Sequence, residues 1–179
     1  KSEKVDSMVR KADFNGVLDL SDDVYDRIES DAFKNCRDTP IKSLILSGRV
    51  DSKLHNLECQ PLSAFDPLKD HLEELCLSSM ALDFIYSFEI NLPQLRHLTL
   101  ENCYIHWFLA EKSLKLLKSL KLTNVLLDCA SNHEWLENLD NLEFLHLNIK
   151  FEFTTILKMR ATFLNRSKKL QHLNIDSTD

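Results

Sequence analysis

Glycine is scarce in this sequence: 2 residues in 179, beside 4 prolines. Phosphate-wrapping loops and long flexible linkers both draw on glycine, so neither is expected. A basic surplus is missing too. The chain carries 22 lysines and arginines against 28 acids, a net charge of −6. The deficit is uneven. Residues 1–90 hold 18 acids and 11 bases (−7), and residues 91–179 hold 10 acids and 11 bases (+1). Nucleic-acid binders show a basic stripe, and the first half is the reverse, so no nucleic-acid partner is expected. No apolar run reaches 18 residues, so no membrane span is expected either. Paired cysteines are also lacking. The 5 present, Cys36, Cys59, Cys76, Cys103 and Cys129, are odd in number and form no C-x-x-C. They read as reduced, mostly buried thiols of an intracellular protein, cytoplasmic or nuclear. No signal peptide is visible. The chain opens on Lys1 rather than Met, which reads as a piece of something longer. Asn165-Arg166-Ser167 is a glycosylation sequon by letter only.

What is present is leucine at fixed spacing. The stretch Leu92-Pro-Gln-Leu95-Arg-His-Leu98-Thr-Leu100-Glu-Asn-Cys103 contains L-x-x-L-x-L, and Leu117-Lys-Ser-Leu120-Lys-Leu122 repeats it 22 positions later. The last two leucines are two apart, so both point to one side of a strand while their neighbours point to the other. Further copies begin at Ile41, Leu72, Leu142 and Leu170, with a weak first copy at Asn15-Gly-Val-Leu18-Asp-Leu20. The copies are spaced by 26, 31, 23, 22, 25 and 28 residues. A strand so short cannot bury its leucines alone; copies stacked side by side can.

The remaining segments are read as connections. Residues 1–13 are polar, with Val5, Met8 and Val9 at helical spacing, and form an N-terminal cap or tail ahead of a repeat domain over 14–179. Ser21-Asp22-Asp23 reads as a helix N-cap, leading a helix with Val24, Ile28, Ala32 and Phe33 on one face. Outer-arc helices are predicted over 83–90, 107–117, 132–139 and 154–165. The arc holding Pro61 and Pro67 is predicted to be irregular.

These copies resemble leucine-rich repeats. The resemblance implies an α/β solenoid: a curved parallel sheet on the concave side, with helices or helical turns on the convex side, in about seven repeats. The usual repeat places Asn, or in one class Cys, three residues after the last strand leucine, where it ties down the turn. Here those positions read Asp23, Arg49, Met80, Cys103, Val125, Lys150 and Thr178, and only Cys103 fits, which predicts looser turns. The last strand has no cap after it, so an exposed leucine-lined edge is expected there. The copy ending in Cys103 is similar to the Cys-containing repeats of F-box/leucine-rich-repeat substrate receptors. That similarity implies presentation of a bound protein to a ubiquitin ligase, with a Skp1-like adaptor held by a region outside these residues.

Nothing in the sequence names a reaction. The histidines form no H-E-x-x-H and no Cys/His cluster. His146 and His172 fall on adjacent strands, about 4.8 Å apart if in register. A solvated binding face explains them better than a metal pair. Cys103 or Cys76 with His97 is a weak thiolate–base pairing. Glu73-Glu74 reads as a solvated strand edge. The lysine-rich groups Lys112/Lys115/Lys118/Lys121 and Lys158/Arg160/Arg166/Lys168/Lys169 read as solvated faces. No cofactor and no metal is expected.

A protein-binding face is the better reading. The outward residues make two columns: Val17, Ser43, Glu74, His97, Ser119, Phe144, His172; and Asp19, Ile45, Cys76, Thr99, Lys121, His146, Asn174. Glu74, His97, Thr99, Lys121, Phe144, His146, His172 and Asn174 are the candidate binding residues. Phe144, flanked by His146 and His172, is the expected anchor, since hot spots favour aromatics. A face of seven strands spans about 30 Å, wide enough for a helix or an extended peptide. The alternative is a docking segment of a larger scaffold, joined through the C-terminal edge.

Overall fold

The structure is a computed structural model that describes residues 15–25, 32–36, 40–48, 60–83, 92–105, 114–127, 139–149 and 168–176. Its main sheet is built from β1 (Val17–Tyr25), β2 (Ser43–Gly48), β4 (Glu74–Ser78), β6 (His97–Glu101), β8 (Ser119–Leu127), β9 (Phe144–Ile149) and β10 (His172–Asp176). All are parallel and pair in chain order. A second, narrower ladder joins β3 (Gln60–Pro61), β5 (Ala81–Asp83), β7 (Tyr104–Ile105) and Leu126–Leu127 at the end of β8. The chain is a parallel solenoid.

The leucine spacing positions every strand. Leu18, Leu44, Leu75, Leu98, Leu120, Leu145 and Leu173 are register partners across the sheet. Leu20, Leu46, Leu77, Leu100, Leu122, Leu147 and Ile175 form the next column. All are buried except Leu173, which is half-buried. Each fully buried leucine contributes about 1.5–3 kcal/mol, and those of the inner strands are covered by a strand on either side, so the stability is shared between neighbours.

One backbone step recurs at the entry to each strand. The amides of Lys42, Glu73, Arg96, Lys118, Glu143 and Gln171 each donate to the carbonyl of the equivalent residue one turn earlier, every time at 2.8 Å. Just upstream lies a leucine outside the L-x-x-L-x-L motif. Leu68, Leu92, Leu114 and Leu139 are all buried, and their carbonyls accept from the amides of Leu72, Leu95, Leu117 and Leu142. The repeating unit is thus longer than the six-letter motif.

The exits of the strands differ from expectation. Ser79, Asn102 and Asn124 have φ of 52°, 52° and 51°, in the left-handed region. That one left-handed residue turns the chain, and the next residue, Met80, Cys103 or Val125, drops into the core. Three nearly identical turns stand where looser ones are predicted. Burial of the third residue serves where an Asn side chain would, and the left-handed residue does the turning.

One further correction concerns a helix. Ser21-Asp22-Asp23 does not cap a helix: β1 runs on to Tyr25, and its register with β2 shifts between Leu20 and Val24. The Asp19 carboxylate accepts from the Ser21 amide at 2.9 Å, a local bond that turns the strand without ending it. Among the described residues the outer arc holds 3-10 turns at Lys34–Cys36 and Leu62–Leu68, the latter including Pro67. Phe33 and Phe65 pack there with ring centroids 5.9 Å apart. Asp83 closes β5, and 114–117 is a turn. The rest of the helices predicted over 83–90, 107–117, 132–139 and 154–165 lies outside the described residues, as do residues 1–13. Among the described residues no helix is long and apolar enough to cross a membrane.

Candidate functional site: the outward face of the main sheet

Alternation along each strand sends one set of side chains into the core and the other outward. The register places both outward columns residue for residue: Val17, Ser43, Glu74, His97, Ser119, Phe144, His172 in one, and Asp19, Ile45, Cys76, Thr99, Lys121, His146, Asn174 in the other. All eight candidate binding residues stand on this face. His97 and His172 are exposed; Glu74, Thr99, Lys121, Phe144, His146 and Asn174 are half-buried.

The face divides by character. Toward β2 and β4 it is mostly polar, with Ile45 its apolar member. The Ser43 hydroxyl donates to Glu74 Oε2 at 2.9 Å, and the Ser78 hydroxyl bonds that of Ser47 at 3.1 Å. Cys76 lies among these groups, its thiol pushed up by burial and then by the Glu74 charge, with a hydrogen bond from the Thr99 side chain acting the other way. Toward β9 and β10 the face becomes aromatic. Phe144 and His172 stack with ring centroids 4.4 Å apart and planes 7° from parallel. Beside them the Asn174 amide nitrogen and His146 Nδ1 are 3.3 Å apart.

His146 and His172, a candidate metal pair read instead as part of a solvated face, are not register partners. In register, His172 faces Phe144 and His146 faces Asn174, so the two imidazoles are diagonal rather than opposite. Diagonal neighbours stand about 7–8 Å apart along the backbone, and the near nitrogen of His146, Nδ1, is occupied at 3.3 Å by the Asn174 amide nitrogen rather than by His172. Among the described residues no group of three or more His, Cys, Asp or Glu could hold a metal.

A charged row crosses the sheet at the strand entries. Arg96 Nε lies 3.8 Å from Glu73 Oε2, and Lys118 Nζ lies 3.3 Å from Glu143 Oε1. Both pairs are about half exposed, so each adds little stability. They also divide the first basic cluster: Lys118 is paired, Lys115 is exposed in a turn, and Lys121 stands on the outward face between Thr99 and His146. Of the second cluster, Lys168 and Lys169 are exposed, and Lys169 Nζ donates to Asn141 Oδ1 at 2.6 Å.

Cys103 has a structural place. It is buried, its sulfur lies 3.3 Å from the Glu101 carbonyl and 3.6 Å from that of Leu77, and burial pushes its thiol up to about 11. A thiol so protonated at neutral pH is no nucleophile. The sequence reading missed the exposed Asn102–Asn124 contact, where the Asn124 amide donates to Asn102 Oδ1 at 2.7 Å. The letters that could have shown it are Glu-Asn and Thr-Asn, each Asn two residues after the last leucine of its motif. Leu116, the one large hydrophobic exposed among the described residues, was also missed.

Comparison with family models, curated proteins and solved structures finds no match to this chain.

Proposed function

We propose that the chain is a leucine-rich repeat module that binds another protein on the outward, concave face of its main sheet, without catalysis. The observation that carries this reading is the Phe144–His172 stack, an aromatic pair held in fixed geometry on a mostly polar face. Rigid aromatics presented by neighbouring strands lose little entropy on binding and suit a hot spot. The free thiols Cys76 and Cys103 agree with a cytoplasmic or nuclear setting. Within that reading, the Cys103 turn supports the similarity to F-box-type substrate receptors, whose adaptor-binding part would lie outside these residues.

Affinity purification of the full-length protein with mass spectrometry tests it. Recovery of an F-box adaptor and a cullin, together with a further protein lost on Phe144→Ala, is the expected result. Clean absence of the adaptor and cullin removes the ubiquitin-ligase role. A second reading, permanent docking into a larger scaffold, is favoured by the last turn, where Leu170 ahead of β10 and Leu173 within it are only half-buried. In that case Leu173→Asp, not Phe144→Ala, abolishes the association.

A further inference from the structure

The aromatic stack on the outward face is interrupted rather than ended. Phe144 stacks on His172, its register partner on β10, so the stacking axis runs across the strands. The other side of the Phe144 ring therefore looks toward β8, where the partner is Ser119, and beyond it to His97 on β6. Ser119 is small. Two strand spacings separate His97 from Phe144, about 9.6 Å. Twice the 4.4 Å observed between the Phe144 and His172 rings falls just short of that span. One more flat ring, standing over Ser119, would complete a continuous column from His97 to His172.

The charges around this gap are directional. Arg96 enters β6 on one border of the gap and Lys118 enters β8 beneath it, and they lean apart: Arg96 toward Glu73 on the β4 side, Lys118 toward Glu143 on the β9 side. Two positions along β8 from Ser119, Lys121 has the uncharged Thr99 and the imidazole of His146 as register partners. Neither register partner is a carboxylate; the nearest acid in register among the described residues, Glu101, stands diagonally on β6 opposite Thr123.

We infer that the gap over Ser119 is a slot for an aromatic side chain of a protein partner, and that Lys121 takes a carboxylate two residues away on the same extended segment. The inference rests on the protein-binding reading and specifies its ligand. The spacing follows from strand geometry: Ser119 and Lys121 are about 6.8 Å apart, as are alternate residues of an extended peptide. The ring gains stacking on Phe144 from one side and on the His97 imidazole from the other. A guanidinium could also stack, but Lys121 beside the gap disfavours a cation there, while Arg96 and Lys118 are offset by Glu73 and Glu143.

The test is selection of a displayed random-peptide library on the intact chain, followed by binding measurements on the recovered peptides. The expected peptides carry Trp, Tyr or Phe with Asp or Glu two positions away. Ser119→Trp fills the slot from within, so it should weaken them by about tenfold or more while leaving the melting transition in place. Lys121→Glu, which requires no repacking, should select the same aromatic with Lys or Arg in place of the acid. Recovered peptides that lack the aromatic–acid pair, or that bind the Ser119→Trp and Lys121→Glu chains unchanged, overturn the slot. Such peptides still leave the protein-binding reading standing if Phe144→Ala releases them. Failure to recover any peptide that Phe144→Ala releases counts against both.

Discussion

Gly16 shows how much one atom decides. Its φ is +79°, and a Cβ there would sit 2.4 Å from the Pro40 carbonyl oxygen. Its own carbonyl accepts from the amides of Lys42 and Ser43, the first step of the backbone series that enters each strand. Gly16→Ala should cost more than about 1 kcal/mol, through both the left-handed backbone and the clash, measured as a lower denaturant midpoint. Cys103 offers a pH-dependent check. Its thiol ionises near 9.0 when unfolded and at about 11 when folded. Below 9 both states keep the proton and nothing is lost. Between 9 and 11 the unfolded chain releases its proton first, so stability falls with rising pH, by up to about 2–3 kcal/mol. Cys103→Ala should flatten that part of the pH–stability curve. The difference between the two curves isolates it from Cys76, which shifts in the same direction.

At the scale of the element, strand exits are the informative parts. Asn102 and Asn124 accept left-handed backbone more readily than other non-glycine residues and also bond each other. Asn124→Ala should destabilise by about 1–2 kcal/mol, and Asn124→Gly by less, because glycine keeps the backbone freedom and loses only the side-chain bond. Chemical denaturation of the two variants separates the contributions. Strands were legible in the sequence wherever two leucines alternate, because that spacing is also the spacing of the pleat. The ladder of β3, β5 and β7 was not: segments such as Gln60–Pro61 and Tyr104–Ile105 are too short for any periodicity. Ser21-Asp22-Asp23 was misread because the same residues that cap helices also make local bonds in a bent strand.

Over the whole molecule, burial is even along the stack and weaker at β10. Leu120 is fully buried between two strands, whereas Leu173 is half-buried. Leu120→Ala should cost about 2–5 kcal/mol and Leu173→Ala clearly less, compared by thermal or urea unfolding. The composition of the face was legible to the residue, since a uniform step carries each outward column from strand to strand. Its interactions were not. The Phe144–His172 stack and the opposed lean of Arg96 and Lys118 depend on rotamers, which the order of letters does not specify.

The even step at every strand entry also makes the chain divisible. Leu95 and Leu117 occupy equivalent places, as do Arg96 and Lys118, and the same 2.8 Å amide–carbonyl bond leads into each. Excising residues 95–116 would join Gln94 to Leu117 and bring Glu74 opposite Ser119, with no slip in any remaining pair. Such a shortened chain should fold as the same coil with one winding fewer, as length is set here by how many windings are strung together.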